Sequence, residues 1–219
     1  MRNIICIYPE DRTTDFLLPI YEQLELFDDF IGFRFNSLVS CETKKIYDPK
    51  YFNKDSILFF LGHGASDKLY GSINQDGDKQ VLFNKNNIDH IKKLDFVCIS
   101  CRSKEFANKQ FHKYIGFGNI TSDFSEVITE RNCGDSNYLE WATPDDIIIF
   151  QKLFVQSITE AIILSKCKDI LSIYKMLRFC FNRKIANTLR DRSLSNYRQL
   201  ADMLFEISNE IEIGLNNVL

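Results

Sequence analysis

Two unbroken apolar runs, residues 57–60 and 96–99, constrain the fold of this chain more than any other feature. A strand that is apolar at every position is buried on both faces, which is typical of a parallel sheet covered by helices. A third run of this kind, at residues 4–8, ends at Pro9. Because segments with helical spacing alternate with these runs, the sequence predicts an α/β fold with a mostly parallel sheet.

The segments around these runs predict the remaining elements of the first part of the chain. Apolar residues at helical spacing predict a helix over 14–27, and alternating apolar residues predict an edge or half-exposed strand over 31–38. An Asp-Gly pair predicts a hairpin with its turn at 75–78. Three further predictions follow along the chain: a short helix at 86–94, a strand at 114–120 and a loop at 121–141.

The sequence Thr143-Pro144-Asp145-Asp146 predicts a strong helix start. Threonine caps helices, proline fits the first helical position, and the two acids meet the positive end of the helix dipole. Three segments with helical spacing follow, and no repeat or low-complexity linker separates them from the sheet region. We therefore predict a single domain, with an α/β core at 1–142 and C-terminal helices at 143–219 packed on it.

Composition argues against several classes of function. The formal net charge of −3 leaves no bulk positive charge for nucleic acid. The N-terminal apolar stretch is too short for a signal peptide, and no apolar run approaches the roughly 18 residues of a membrane span, so we expect a cytoplasmic protein. The seven cysteines include a single CxxC pair, Cys98 and Cys101, and no second pair to complete a zinc site. We therefore expect free thiols, no metal and no cofactor.

A histidine follows the first long apolar run and a cysteine follows the second. Gly62-His63-Gly64 comes directly after residues 57–61, and Ser100-Cys101-Arg102-Ser103 comes directly after residues 96–99. A thiol attacks as the thiolate, which a neighbouring imidazole can generate or stabilise. The backbone N–H groups of Gly64 and Cys101 are natural donors to the oxyanion formed in such an attack. The pattern predicts cysteine nucleophilic catalysis.

Each of these residues also has a structural interpretation. A single buried histidine or free cysteine belongs more often to a core than to a catalytic site. Their joint position at two strand ends, flanked by Gly and Ser, favours the catalytic interpretation. We expect the other cysteines named here (Cys6, Cys98, Cys133, Cys167 and Cys180) to be core or incidental, and His90 and His112 to face solvent.

Taken together, the two motifs and Leu69-Tyr70-Gly71-Ser72 between them resemble the caspase-like cysteine peptidases. The resemblance is greatest to the bacterial CHAT and compact caspase-like members, and it covers residues 1–125. It implies that His63 is the catalytic histidine, that Cys101 is the nucleophile, and that the Gly64 amide helps to hold the oxyanion. It also implies that residues 69–73, including Tyr70 and Gly71, lie beside the substrate cleft.

The resemblance leaves the substrate preference open. Caspases carry Gln two residues before the nucleophile, where this chain has Ile99. Asp123, with Glu126 behind it, is the candidate acid for a preference for basic residues, whereas Arg12 favours the opposite preference. The sequence leans towards cleavage after a basic residue.

The resemblance further implies a protein substrate, such as an inhibited toxin or pore-forming protein, in bacterial antiviral defence or programmed cell death. Activation would come from a protein partner or from self-cleavage at 75–79 or 121–141. Two alternatives stay open: an inactive caspase-like scaffold or binding module, and a small acyl-transfer or thiol hydrolase on a flavodoxin-like sheet.

Overall fold

The computed structural model of the protein describes residues 2–36, 41–73 and 79–215. The strands are β1 (Ile4–Pro9), β2 (Phe30–Phe35), β3 (Ile57–Leu61), β4 (Lys68–Ile73), β5 (Lys79–Asn84), β6 (Asp95–Ile99), β7 (Lys113–Gly116) and β8 (Glu212–Leu215). The helices are α1 (Leu18–Glu25), α2 (Cys41–Ile46), α3 (Ser103–Gln110), α4 (Phe124–Cys133), α5 (Pro144–Ser165), α6 (Ile170–Arg190) and α7 (Tyr197–Glu210).

Six of the strands form one sheet in the order β2-β1-β3-β6-β7-β8. The first five run parallel to one another, and β8 is antiparallel to β7 at the edge. Strands β4 and β5 form a separate antiparallel hairpin. The predicted α/β fold with a mostly parallel sheet is therefore confirmed, and so is the edge position of β2.

The central strands are apolar at nearly every position because helices cover both faces of the sheet. All residues of β1, β3 and β6 are buried. Alternate side chains of β1 enter different cores, since Cys6 packs with the helices α1, α5, α6 and α7, while Ile7 packs with α3 and the β4–β5 hairpin. These buried strands fix the positions of the loops that follow them.

Helix α5 begins where the sequence predicted it. The Thr143 hydroxyl accepts from the Asp146 N–H at 3.3 Å, and the Asp146 carboxylate accepts from the Thr143 N–H at 2.9 Å, which forms a capping box. By length and composition α5 is able to cross a membrane, with a mean hydropathy of 1.7 in its most apolar 18-residue window. Its Phe150 and Phe154 are buried in the shared core, which accounts for one apolar face, while Ile148, Ile163 and Leu164 are exposed.

Several local predictions are wrong. Residues 86–94 form turns instead of a helix: the Ile91 and Leu94 N–H groups donate to carbonyls three residues back, and the Asn87 side chain binds the Asn84 N–H and the Leu82 carbonyl. The predicted loop at 121–141 contains α4, whose start is capped by Asp123. The third C-terminal helix ends at Glu210, and the chain then turns into β8.

The remaining differences concern single side chains and one turn. His90 is partly buried rather than solvent-facing, with Nε2 2.9 Å from the Ile46 carbonyl oxygen. His112 is exposed as expected. Cys98 is buried as expected, and Cys133, which was expected to be core or incidental, is exposed. The predicted turn at 75–78 lies outside the described residues.

Candidate active site

The ends of β3 and β6 bring the two sequence motifs to one edge of the sheet. Leu61 pairs with Ile99, and the Gly62 N–H donates to the Ile99 carbonyl at 3.3 Å. His63 and Cys101 each follow this pair by two residues. Since the strands are parallel, both residues leave the sheet at its carboxyl edge.

Gly64 lies where the loop after β3 contacts the loop after β6. A Cβ atom on Gly64 would come within 2.4 Å of Ser100 Oγ and 2.8 Å of the Cys101 carbonyl oxygen, so no side chain fits there. The Tyr70 N–H donates to the His63 carbonyl at 3.0 Å and ties β4 to this loop. The backbone of Gly64 is therefore held against the loop that carries the thiol.

The His63 imidazole is buried and bound through Nε2 to the loop that follows β1. Nε2 lies 2.8 Å from Thr13 Oγ1 and 3.3 Å from Asp11 Oδ1. The Thr13 hydroxyl donates to Asp11 Oδ1 at 2.7 Å, and the Thr13 N–H donates to the same oxygen at 2.9 Å. Because this hydroxyl has given its only hydrogen to Asp11, it accepts from the imidazole. The network assigns the proton to Nε2 and the lone pair to Nδ1.

Burial and the Lys79 ammonium together favour a neutral His63 ring. Burial lowers the pKa of His63, the Lys79 ammonium lowers it further, and Asp11 and Glu126 oppose this. Lys79 Nζ lies 3.4 Å from Nδ1. Burial acts to raise the pKa of Asp11, but the hydrogen bonds from Thr13 and His63 hold it below its ordinary value. At neutral pH the site therefore combines an ionised Asp11 with a neutral imidazole able to accept a proton.

The Cys101 thiol lies against the backbone that leads from β7 to α4. Its Sγ donates to the Ile120 carbonyl at 3.1 Å and lies 3.4 Å from the Ile120 nitrogen. Burial raises the pKa of Cys101, the Ile120 N–H lowers it, Glu126 raises it and Lys79 lowers it. The net direction is upward, so the resting group is a thiol that needs a base to become nucleophilic.

A sharp turn after β6 presents Cys101 at the start of α3. Arg102 adopts a left-handed conformation with φ of 54°, and its N–H donates to the Gly118 carbonyl at 2.9 Å. The Ser103 hydroxyl donates to the Cys98 carbonyl at 2.7 Å and accepts from the Phe117 N–H at 2.8 Å. These bonds fix the turn between two strands of the sheet.

A cavity of about 420 Å³ opens beside Cys101. Its walls come from the chain after β7, from α4 and from the segment that follows α4, and its lining residues are Cys101, Asn119, Ile120, Thr121, Ser125, Glu126, Thr129, Glu130 and Tyr138. The two charged groups in this lining, Glu126 and Glu130, are both acids. The Glu126 carboxylate accepts from the Ser122 N–H at 2.9 Å and from its hydroxyl at 2.8 Å, which fixes its position. The cavity suits a cationic side chain.

The two residues predicted to set substrate preference lie outside the lining of this cavity. Asp123 caps α4, with Oδ1 accepting from the Ser125 N–H at 2.6 Å, and this hydrogen bond lowers its pKa. Arg12 is exposed, and its positive charge also lowers the pKa of Asp123. Glu126, which the sequence placed behind Asp123, lines the cavity together with Glu130, and the role of Asp123 in substrate preference stays a prediction.

Tyr70 and Gly71 belong to β4, on the hairpin next to His63. Tyr70 is partly buried and Gly71 is buried. Neither lines the cavity beside Cys101. Both lie on the strand whose backbone is bonded to the His63 loop, so their position is beside the histidine.

Sequence reasoning missed Asp11, Thr13, Lys79 and Glu130. Asp11 and Thr13 follow β1, which neighbours β3, so their loop leaves the sheet at the same edge as His63. Polar residues after a predicted parallel strand were the available signal, because the carboxyl ends of such strands are where α/β sheets bind ligands. Lys79 and Glu130 carried no comparable signal in the sequence.

No model of a known protein family matches the chain, and a search of curated proteins gives no match. Within the described ranges, no group of three or more His, Cys, Asp or Glu side chains is arranged to hold a metal ion.

Proposed function

We propose that this protein is a cysteine endopeptidase of the caspase-like type, with Cys101 as nucleophile and His63 as base and acid. One observation carries the proposal: the parallel register places both residues at one sheet edge, where Nε2 of His63 is bound to Thr13 and Nδ1 is left with the lone pair. The six-stranded, mostly parallel sheet is compatible with such a fold. The choice of family in this proposal comes from the resemblance of the two strand-end motifs to those of caspase-like peptidases.

The proposed reaction begins with proton transfer from the Cys101 thiol to His63 Nδ1. The sulfur then forms a bond to the scissile carbonyl carbon, and the amides of Gly64 and Cys101 hold the oxygen that becomes negative. The ionised Asp11, acting directly and through Thr13, stabilises the imidazolium formed in this step. Because the pKa of Cys101 is raised, this stabilisation matters for generating the thiolate.

The second half of the reaction returns the proton. As the C–N bond breaks, Nδ1 of His63 protonates the leaving amine, and the acyl group remains on Cys101 as a thioester. A water molecule gives its proton to Nδ1 and attacks the thioester carbon. The bond to sulfur then breaks, the new carboxyl group leaves, and the proton restores the thiol.

We further propose that cleavage follows a basic residue. The lining of the cavity beside Cys101 carries two acids, Glu126 and Glu130, and no basic side chain. A lysine or arginine side chain placed there would pair with one or both carboxylates. The proposed substrate is therefore a protein that presents such a residue in an exposed segment.

Peptide reporters test both parts of the proposal. Wild-type protein is incubated with tetrapeptide leaving-group reporters that differ only in the last residue: Arg, Lys, Ala or Asp. We expect release from the Arg or Lys reporters, none with Cys101→Ala, and wild-type rates with Cys133→Ala, which changes an exposed cysteine. Equal release by wild type and Cys101→Ala would defeat the assignment of the nucleophile.

The raised pKa of Cys101 gives some support to the alternative of an inactive caspase-like module. Labelling with an electrophilic peptide separates the two. An active site labels Cys101 far faster than the exposed Cys133, whereas an inert buried thiol labels more slowly than Cys133.

A further inference from the structure

Lys79 lies at the first position of β5 and contacts the imidazole that the proposed reaction uses. Its Nζ is 3.4 Å from His63 Nδ1, although the residue is exposed as a whole. Lys79 pairs with Ile73 of β4, and β4 is bonded to the His63 carbonyl through the Tyr70 N–H. The hairpin that carries the ammonium is therefore attached to the loop that carries the base.

The contact engages the nitrogen that must receive the Cys101 proton. Nε2 is committed to Thr13 as a donor, which leaves the lone pair on Nδ1. An ammonium group donates hydrogen bonds and accepts none, so Lys79 can only occupy that lone pair. While it does so, Nδ1 is not available to the thiol.

We propose that Lys79 holds the site in a resting state by capping His63 Nδ1, and that the β4–β5 hairpin must withdraw this side chain before Cys101 can lose its proton. The inference rests on the proposed peptidase function, because it concerns the base of that reaction. It adds a residue that controls the rate without contributing to bond cleavage.

The charged groups facing His63 act on the protonation of its ring in opposite directions. Asp11, from the loop after β1, and Glu126, from α4, favour the protonated ring, while Lys79 disfavours it. Two of these charges also affect the pKa of Cys101, which follows β6: Glu126 raises it and Lys79 lowers it. Withdrawing Lys79 frees the lone pair and leaves Asp11 and Glu126 to stabilise the imidazolium. Withdrawing Lys79 also removes a cation that favours the Cys101 thiolate. Whether the reaction rate rises or falls without Lys79 therefore tests the proposal.

The test compares Lys79→Met with Lys79→Arg, which keeps the charge, and with Lys85→Met, which changes an exposed lysine just beyond the same hairpin. The ring nitrogens of His63 are followed by long-range ¹H–¹⁵N NMR across its titration. Cleavage of the basic tetrapeptide reporter is measured on the same samples. We expect Lys79→Met to raise the pKa of His63 and to raise kcat/KM about threefold or more, since a larger fraction of molecules is then competent.

Lys85→Met should leave both quantities near their wild-type values, whereas Lys79→Arg, which retains the positive charge, should keep the pKa of His63 below its value in Lys79→Met. A fall in kcat/KM with Lys79→Met would overturn the inference, because Lys79 would then assist the reaction. An unchanged pKa of His63 would overturn it too, because no cap would exist. If no variant cleaves the reporter but the pKa of His63 still rises with Lys79→Met alone, the cap is supported and the peptidase proposal fails.

Discussion

The hydroxyl of Thr13 lies 2.8 Å from Nε2 of His63 and donates its own hydrogen to Asp11. This relationship fixes the ring tautomer, because an oxygen that has given away its hydrogen can only accept from the imidazole. It also brings a buried carboxylate within 3.3 Å of the ring. In the proposed reaction this pair would hold the base and stabilise its charged form, as the orienting group of a catalytic triad does.

Asp11→Asn should slow the reaction while leaving the fold intact. The carboxylate raises the pKa of His63, so its loss lowers that pKa and weakens the stabilisation of the imidazolium. We expect kcat to fall by about 10- to 100-fold with little change in KM. The acid limb of the kcat/KM profile should move to lower pH. Peptide cleavage measured across the titration range of histidine checks both effects.

Asp15→Asn is the matched control, since Asp15 is an exposed acid close by in the sequence. Thr13→Val removes the hydroxyl link and should reproduce part of the loss. A fall in kcat with the acid limb left in place would contradict the positioning role of Asp11.

Glu130→Gln should reduce the preference for a basic residue. Glu130 lines the cavity beside Cys101, and its removal leaves Glu126 as the cavity's acid. Glu130 is exposed, and a charge pair at an exposed site is worth at most about 1 kcal/mol, so the ratio of kcat/KM for the Arg and Ala reporters should fall by up to about fivefold. Glu140→Gln, at an exposed acid outside the cavity lining, should leave the ratio unchanged. A ratio unaffected by Glu130→Gln would point to another subsite for the basic side chain.

The sheet was predictable where the sequence signal is local. Residues 57–61 and 96–99 are apolar at every position, and this is what burial on both faces requires. The capping box of Thr143 and Asp146 was equally readable, because both partners lie within one helical turn. Parallel strands share a carboxyl edge, so His63 and Cys101 could be expected near each other.

The other parts depend on contacts between distant segments. Asp11 contacts His63 because β1 lies beside β3, and no local pattern specifies that order. Ile211 and Leu215 continue the apolar spacing of α7, but residues 212–215 pair with β7 as a strand instead. From the sequence, Asp123 is a candidate acid for the substrate pocket. In the structure its carboxylate caps α4.

Gly64→Ala should abolish most of the activity without unfolding the protein. The added Cβ would meet Ser100 Oγ at 2.4 Å and the Cys101 carbonyl oxygen at 2.8 Å, so the two loops must separate. Loss of one oxyanion donor costs about 100-fold in kcat or more, and displacement of the Gly64 amide should cost a similar amount. Gly134→Ala is the control, because there the nearest atom to a Cβ lies at 3.4 Å. Wild-type kcat with Gly64→Ala would show that this amide takes no part in the mechanism. Thermal melting of the variant verifies that it is folded.

Asp146→Asn should destabilise the protein in a pH-dependent way. The buried carboxylate accepts from the Thr143 N–H and hydroxyl and from the Asn196 amide at 3.0 Å. Although burial acts to raise the pKa of Asp146, these bonds hold it below its unfolded value of about 3.9. Its stabilisation is therefore complete above that pH and is lost as the pH falls through the folded pKa. In urea titrations we expect Asp146→Asn to lower the free energy of unfolding by about 1 kcal/mol at neutral pH. This difference from wild type should become smaller in acid. Asp145→Asn, at an exposed acid of the same helical turn, should show little of either effect. If wild type and Asp146→Asn differed in free energy of unfolding by the same amount at every pH, the link to the Asp146 carboxylate would be contradicted.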